Sequence, residues 1–364
     1  MPDHAPALLS RDLDRLRRHA SAADAAGWLH PAQQAVMHRR GWLRWLAPRA
    51  AGGTETPLPR MVRMEEAVAA VDGSCGWVFT LCAGAGWFAG FLPPALAREV
   101  VQTRRFCIAG SGAPTGFADR DSGGWRLAGE WSYASGAPMA THFTLNAVLR
   151  HNGAVLADAD GAPRISAFIV PAAEVTRTPG WFAIGMRASG SHGYTLDGAR
   201  VSDDHAFAID PSAATTQGPL YRFDFLSLAW VTLAANLAGM ARHFVALADP
   251  LVRQRRPLRA ALPLADDPAV RRMLAQATER LAGAWHTLLA TLDEAWAGVE
   301  AGGVLSAGQQ QALRQQARTL VQAAHGAVDG LYPWCGMHAA DTRSELNRVW
   351  RDFHTASQHA LFVS

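Results

Sequence analysis

Apolar residues recur at helical spacing from Asp12 to Leu29, and the run stops just before Pro31. Comparable runs cover Ala32 to Leu46 and Met61 to Ala83, separated by a Gly/Thr/Pro-rich loop from Pro48 to Pro59. Pro93-Pro94 opens a short amphipathic helix over Ala95–Thr103, since proline is tolerated in a first helical turn. Near Phe106 the period shortens from about 3.6 to about 2 residues. Gly124–Tyr133 then reads as a strand with Trp125, Leu127, Trp131 and Tyr133 on one face and Arg126, Glu130 and Ser132 on the other. Further strands are expected at Thr141–Arg150, Arg164–Val170 and Tyr194–Val201, with turns at 121–124, 158–163 and 179–180. This is an antiparallel β insert of about a hundred residues. After Pro219 the helical period returns over Phe223–Leu247, Pro268–Glu300, Gln309–Gly330 and Glu345–Phe362, which predicts a four-helix bundle. The fold class is α+β and mainly α. It divides into an N-terminal helical domain (1–105), a central β-sandwich-like domain (106–210) and a C-terminal helical bundle (211–364).

Composition removes several classes of chemistry. All 34 basic residues are Arg. Without lysine there is no Schiff-base mechanism and no P-loop nucleotide site. The net charge of +3 is spread along the chain, so neither nucleic acid nor membrane is an expected partner. The cysteines Cys75, Cys82, Cys107 and Cys335 form no CxxC pair, which argues against a disulfide framework or a zinc site. The uncharged run from Gly73 to Ala97 is long enough to span a bilayer, but its glycines and the Pro93-Pro94 pair favour a buried helix followed by a loop. With no apolar leader at the start, a cytoplasmic enzyme is the default expectation.

Three stretches carry candidate chemistry. In Gly110-Ser-Gly-Ala-Pro-Thr-Gly-Phe-Ala118, a loop of small residues such as Ser111 and Gly112 would let backbone N–H groups approach a flat, anionic ligand; the plainer reading is a hairpin connection. Trp131 reads most simply as sheet core, while Ser135-Gly136 follows the strand as either a site serine or a turn. In Gly185-Met-Arg-Ala-Ser-Gly-Ser-His-Gly-Tyr194, Ser189, Gly190, Ser191 and His192 form a polar bend. Arg253, Arg255 and Arg256 could grip a phosphate or simply be solvated at a helix end. In Arg348-Val-Trp-Arg-Asp-Phe-His-Thr-Ala-Ser-Gln-His-Ala-Leu-Phe362, His354 and His359 lie about 140° apart around a helix, so they are no metal pair.

In this order and spacing, from about Met61 to the C-terminus, the three stretches resemble the acyl-CoA dehydrogenase superfamily. They are most similar to its two-component flavin-dependent monooxygenases, which hydroxylate phenols, polyketide aromatics or related compounds. The resemblance implies reduced FMN or FAD delivered by a separate reductase, O2 as co-substrate and a C4a-hydroperoxyflavin. It also implies a homotetramer or dimer built through the bundles. By resemblance Ser135 lies beside flavin N5, and Ser111, Gly112, Trp131 and Gly136 line the cofactor. Ser189, Gly190 and Ser191 follow the ribityl and phosphate region, and Arg253 and Arg255 reach a neighbouring subunit's flavin phosphate.

Acyl-CoA dehydrogenases with their base in this last segment place a Glu about eight residues after the Arg-Asp pair. Here Arg351-Asp352 is followed by His359 and Ala360. A histidine titrating near neutrality suits deprotonation of a phenol, so His359 is the expected base, with His354 second. The similar hydroxylases often carry a histidine where this chain has Ala85, and the small residues around it favour a bulky substrate. The rival readings are an acyl-CoA dehydrogenase or oxidase whose carboxylate is Asp224 or Glu279, and a non-catalytic family member.

Overall fold

The computed structural model describes residues 5–256 and 263–363. Its N-terminal helices are α1 (Ala5–Ala26), α2 (Pro31–Arg39), α3 (Leu58–Ala69), α4 (Gly73–Gly86) and α5 (Pro94–Gln102). The expected helix over Met61–Ala83 is two helices. Asp72 caps α4 by accepting the Cys75 N–H at 3.0 Å, and the cap breaks the run. The expected helix over 32–46 also ends early, at Arg39, because Gly41 takes a left-handed conformation and only a short turn follows.

The strands are β1 (Ile108–Asp121), β2 (Gly124–Ala134), β3 (His142–His151), β4 (Ala154–Val155), β5 (Ile165–Pro171), β6 (Thr176–Thr178), β7 (His192–Val201) and β8 (Ala206–Phe207). They form one sheet in the order β6-β7-β2-β1-β3-β5-β8, with β4 on β3. The sheet is mixed rather than antiparallel throughout, because β1 and β3 pair in parallel. After the β1–β2 hairpin the chain crosses to the other edge of β1, and β3 must then run alongside it in the same direction. The expected small-residue loop at 110–118 lies inside β1, as a wide bulge between Ser111 and Gly116. A cluster that includes Trp131, Phe143, Phe168 and Tyr194 fills the sheet's own core.

The C-terminal part contains α6 (Pro219–Arg222), α7 (Phe225–Gln254), α8 (Pro268–Glu300), α9 (Ala307–Leu331), α10 (Met337–Ala340), α11 (Glu345–Ala356) and α12 (Ala360–Val363). Helices α7, α8, α9 and α11 make the bundle, and α3 and α4 pack on α7. Among the described residues two runs are long and apolar enough to cross a membrane, Gly73–Phe91 and Phe225–Gln254. Each has 83% of its most apolar window buried inside the protein, as core helices do.

One core group is costly. Glu65 of α3 is fully buried, and among the described residues no cation pairs with its carboxyl group. Burial pushes its pKa up to about 8, countered only in part by the Thr80 hydroxyl. The folded state therefore keeps a proton that the unfolded chain has lost above its ordinary value of 4.5. The stability due to Glu65 is full below that value and drains away as pH rises to about 8. Chemical denaturation should show wild-type stability falling by about 2 kcal/mol between pH 6 and 8 on account of this one group. Glu65→Gln should remove that share, and an unchanged slope would show that Glu65 ionises freely in the folded protein.

Candidate active site

The motif residues Ser135, Ser189 and Ser191 converge although they come from two distant segments. The Ser135 Oγ lies 2.7 Å from Ser191 Oγ, and Ser191 Oγ lies 2.7 Å from Ser189 Oγ. Ser189 Oγ donates to the Met186 carbonyl at 2.6 Å. At the other end Trp77 of α4 donates its indole N–H to Ser135 Oγ at 3.1 Å. All three serines are nearly excluded from solvent, at 4%, 1% and 4% exposure for Ser135, Ser189 and Ser191.

The turn carrying Ser189 is set by backbone geometry. Met186 (φ 54°) and Gly190 (φ 55°) are both left-handed and bracket a single helical turn over Arg187–Ser189. Non-glycine residues rarely adopt this conformation, and Met186 is held there from both sides. Its N–H donates to Asp352 Oδ1 at 2.5 Å, and its carbonyl accepts the Trp181 indole N–H at 2.8 Å. Asp352 is buried, and desolvation with the nearby Asp72 carboxylate pushes its pKa up to about 7. Gly136 (φ 78°) turns the chain after Ser135 and donates its N–H to the Ser189 carbonyl at 2.8 Å.

His359 joins this cluster through Trp77, with ring centroids 5.9 Å apart in an edge-on contact. It does not lie on the helix that the spacing predicted. Helix α11 ends at Ala356, Ser357 caps it, and His359 sits in the turn before α12. Its half-buried ring has its pKa lowered by desolvation alone, so it is neutral at pH 7. Nδ1 accepts the Leu361 N–H at 3.3 Å, which assigns the remaining proton to Nε2. His354 faces elsewhere, with Nε2 3.0 Å from Asp329 of α9 and its ring against Trp350.

Several expected cofactor residues stand differently. Trp131 is fully buried, stacked on Tyr194 and bonded to the Asn146 carbonyl at 2.9 Å, so it packs as sheet core. Gly116 of the same motif is a packing requirement: a Cβ there would stand 2.2 Å from the Trp131 ring. Ser111 is half-buried, while Gly112 is exposed on the bulge with its carbonyl accepting from Asn146 Nδ2 at 2.8 Å. Arg253 pairs with Asp249 on the surface, and Arg255 donates to the Trp334 carbonyl at 2.7 Å. Neither belongs to the serine cluster within this chain. Of the rival carboxylates, Asp224 caps α7 through the Ser227 N–H at 2.9 Å and Glu279 is exposed on α8.

The site also holds residues the pattern concealed. Tyr133 was expected on the buried face of β2 beside Trp131. A register shift against β7 between Trp131 and Ala134 leaves Tyr133 at φ 67° and 71% exposed, two residues from Ser135. A bulge interrupts the alternation of faces, which the sequence pattern cannot foresee. Its ring meets Trp181 edge-on at 6.2 Å, and Phe182 and Ile184 are exposed on the same connection. Trp77 was hidden inside an apolar helix run, where nothing marks one aromatic as a hydrogen-bond donor.

The family model described as acyl-CoA dehydrogenase, C-terminal domain, matches residues 231–364. Over those residues the chain is similar to the acyl-CoA dehydrogenase superfamily. Its similarity within that superfamily is to flavin-dependent monooxygenases. A pigment production hydroxylase of Rhodococcus erythropolis is 28% identical over 339 residues, covering 89% of this chain and 84% of that protein. The flavin-dependent monooxygenase oxygenase subunit HsaA of Mycobacterium tuberculosis is 24% identical over 368 residues, covering 96% and 89%. The solved structure of 3-HSA hydroxylase from Rhodococcus sp. RHA1 shares the fold, with a TM-score of 0.88 and 22% identity over 97% of this chain and 92% of that one. Ser135, just after β2, thus meets Trp77 of α4 where the sheet abuts the N-terminal helices.

Proposed function

We propose that this flavin-dependent monooxygenase is the oxygenase component of a two-component system, hydroxylating an aromatic small molecule with reduced flavin from a separate reductase. One observation carries the reading. An aromatic side chain, Tyr133, is forced outward by a strained bulge beside a buried hydroxyl whose oxygen still has a lone pair to offer. Such backbone strain persists where the surroundings over-determine it, typically at a ligand site. A flat ring system against Tyr133 and Trp181 would use that exposed face, so the residues fit a flavin.

Bound reduced flavin supplies the reduction of O2 and the transfer of one oxygen atom to the substrate. This chain's residues do the rest. Ser135 accepts a hydrogen bond from the ring edge, and Trp77 and Ser191 hold Ser135 in place. Val78 and Cys82 of α4 pack over Gly136 and help exclude water. His359, neutral and beside Trp77, takes the proton from a substrate hydroxyl. The 3.3 Å bond to Leu361 is long, so exchange to the tautomer with a free Nε2 costs little. Arg253 and Arg255, exposed at the end of α7, would meet the flavin phosphate of a neighbouring subunit in a dimer or tetramer.

The test is anaerobic titration with reduced FMN and FAD, followed by labelled O2 and a panel of phenols and polycyclic aromatics. Reduced flavin should bind and the label should enter a product. Failure to bind reduced flavin, or bleaching of bound FAD by an acyl-CoA thioester, would overturn the reading. Tyr133→Gly gives a sharper check, because glycine tolerates the left-handed backbone but offers no ring. Reduced-flavin affinity should fall roughly three- to tenfold while thermal stability holds or rises.

A further inference from the structure

We infer that Ser189 and Ser191 fix the direction of the Ser135 hydroxyl so that the site favours reduced over oxidised flavin. The inference rests on the flavin reading above.

The two ends of the serine chain determine its polarity. Trp77 Nε1 can only donate and the Met186 carbonyl can only accept. The hydrogen of Ser189 goes to Met186, so in its contact with Ser191 it must accept. The one hydrogen of Ser191 is then spent on Ser189, and Ser191 must accept from Ser135. Ser135 receives the Trp77 N–H and gives its own hydrogen to Ser191. Every bond runs one way: Trp77 to Ser135 to Ser191 to Ser189 to Met186.

The anchor does not reverse. The Met186 carbonyl also accepts from the Ser189 N–H at 3.0 Å and from Trp181 at 2.8 Å, and the Met186 N–H is held by Asp352. The serines' burial leaves little water to reset the chain. Ser135 Oγ therefore has one lone pair free and no hydrogen free. It accepts from a ligand and cannot donate.

This matters for a flavin because N5 changes character with redox state. In the reduced ring N5 carries a hydrogen and donates; in the oxidised ring it carries a lone pair and accepts. An acceptor-only Ser135 satisfies the first form and sets lone pair against lone pair with the second. Ser189 and Ser191 are thus positioning residues that act through Ser135.

Ser189→Ala tests this while keeping the other two hydroxyls. Without Ser189 the Ser191 hydrogen is free to turn toward Ser135, and Ser135 is then free to donate to a ligand. Ser191→Ala releases the Ser135 hydrogen by a second route and serves if the first variant folds poorly. Affinities for reduced and oxidised FMN would be measured separately, together with the midpoint potential of bound FMN. The reduced-to-oxidised affinity ratio should fall about tenfold in either variant, mostly through tighter oxidised FMN. The bound potential should accordingly fall by about 30 mV for a two-electron couple. A purely structural role would weaken both forms alike and leave the potential where it was, and that result would overturn the inference. Wild-type chain that binds FMN in neither state would overturn the flavin reading itself, and this proposal with it.

Discussion

His359→Gln should lower kcat for aromatic hydroxylation by roughly a hundredfold or more, with reduced-flavin affinity essentially unchanged. The expectation follows from where the ring stands. His359 touches Trp77 edge-on, and the Trp77 N–H bond to Ser135 does not run through it, so its loss leaves that bond in place. Burial without a carboxylate partner keeps it neutral, which is the form a base needs. The acid limb of the pH–rate profile should lie below the ordinary imidazole value of 6.5 and should vanish in the variant. The loss should also shrink for substrates whose hydroxyl is already ionised at the assay pH. Equal losses across phenols of different acidity would remove His359 from the role of base. His354→Gln should do much less to kcat, because its ring lies against Trp350 and beside Asp329.

Gly185→Ala should destabilise the protein by roughly 3 kcal/mol or more and abolish flavin binding in whatever fraction folds. A Cβ at this position would stand 2.0 Å from the Arg351 carbonyl oxygen and 2.5 Å from the Asp352 nitrogen. Those atoms are helix backbone and cannot step aside as a flexible side chain would. The Gly185–Ser191 turn would have to lift off α11, breaking the Met186 bond to Asp352 and the Gly185 N–H bond to Thr355 Oγ1 at 3.1 Å. Denaturation midpoints and flavin titration on the same preparation check both parts. An alanine variant of wild-type stability would mean that the turn docks less tightly than the distances require.

The alternation of periods along the chain was enough to place a β segment between two helical parts, and the resemblance carried by the three motifs pointed to flavin-dependent oxygenase chemistry. The same resemblance named Ser135 and His359 as candidate site residues. Both signals survive in a bare sequence because hydrophobic periodicity is local and because backbone-hugging motifs tolerate few residue types. Neither carries information about packing partners. Trp131 and Tyr133 are two apart on one strand and read alike, yet a bulge buries one and exposes the other at 71%. Trp77 looks like any core aromatic until folding sets its N–H against Ser135 across 58 residues of chain. The direction of the serine hydroxyls exists only once a donor-only indole and an acceptor-only carbonyl close the two ends. Sequence determined which groups were available and in which elements they lie. Tertiary structure decided which of them meet and which of each pair donates, because those depend on distances between segments that no local pattern encodes.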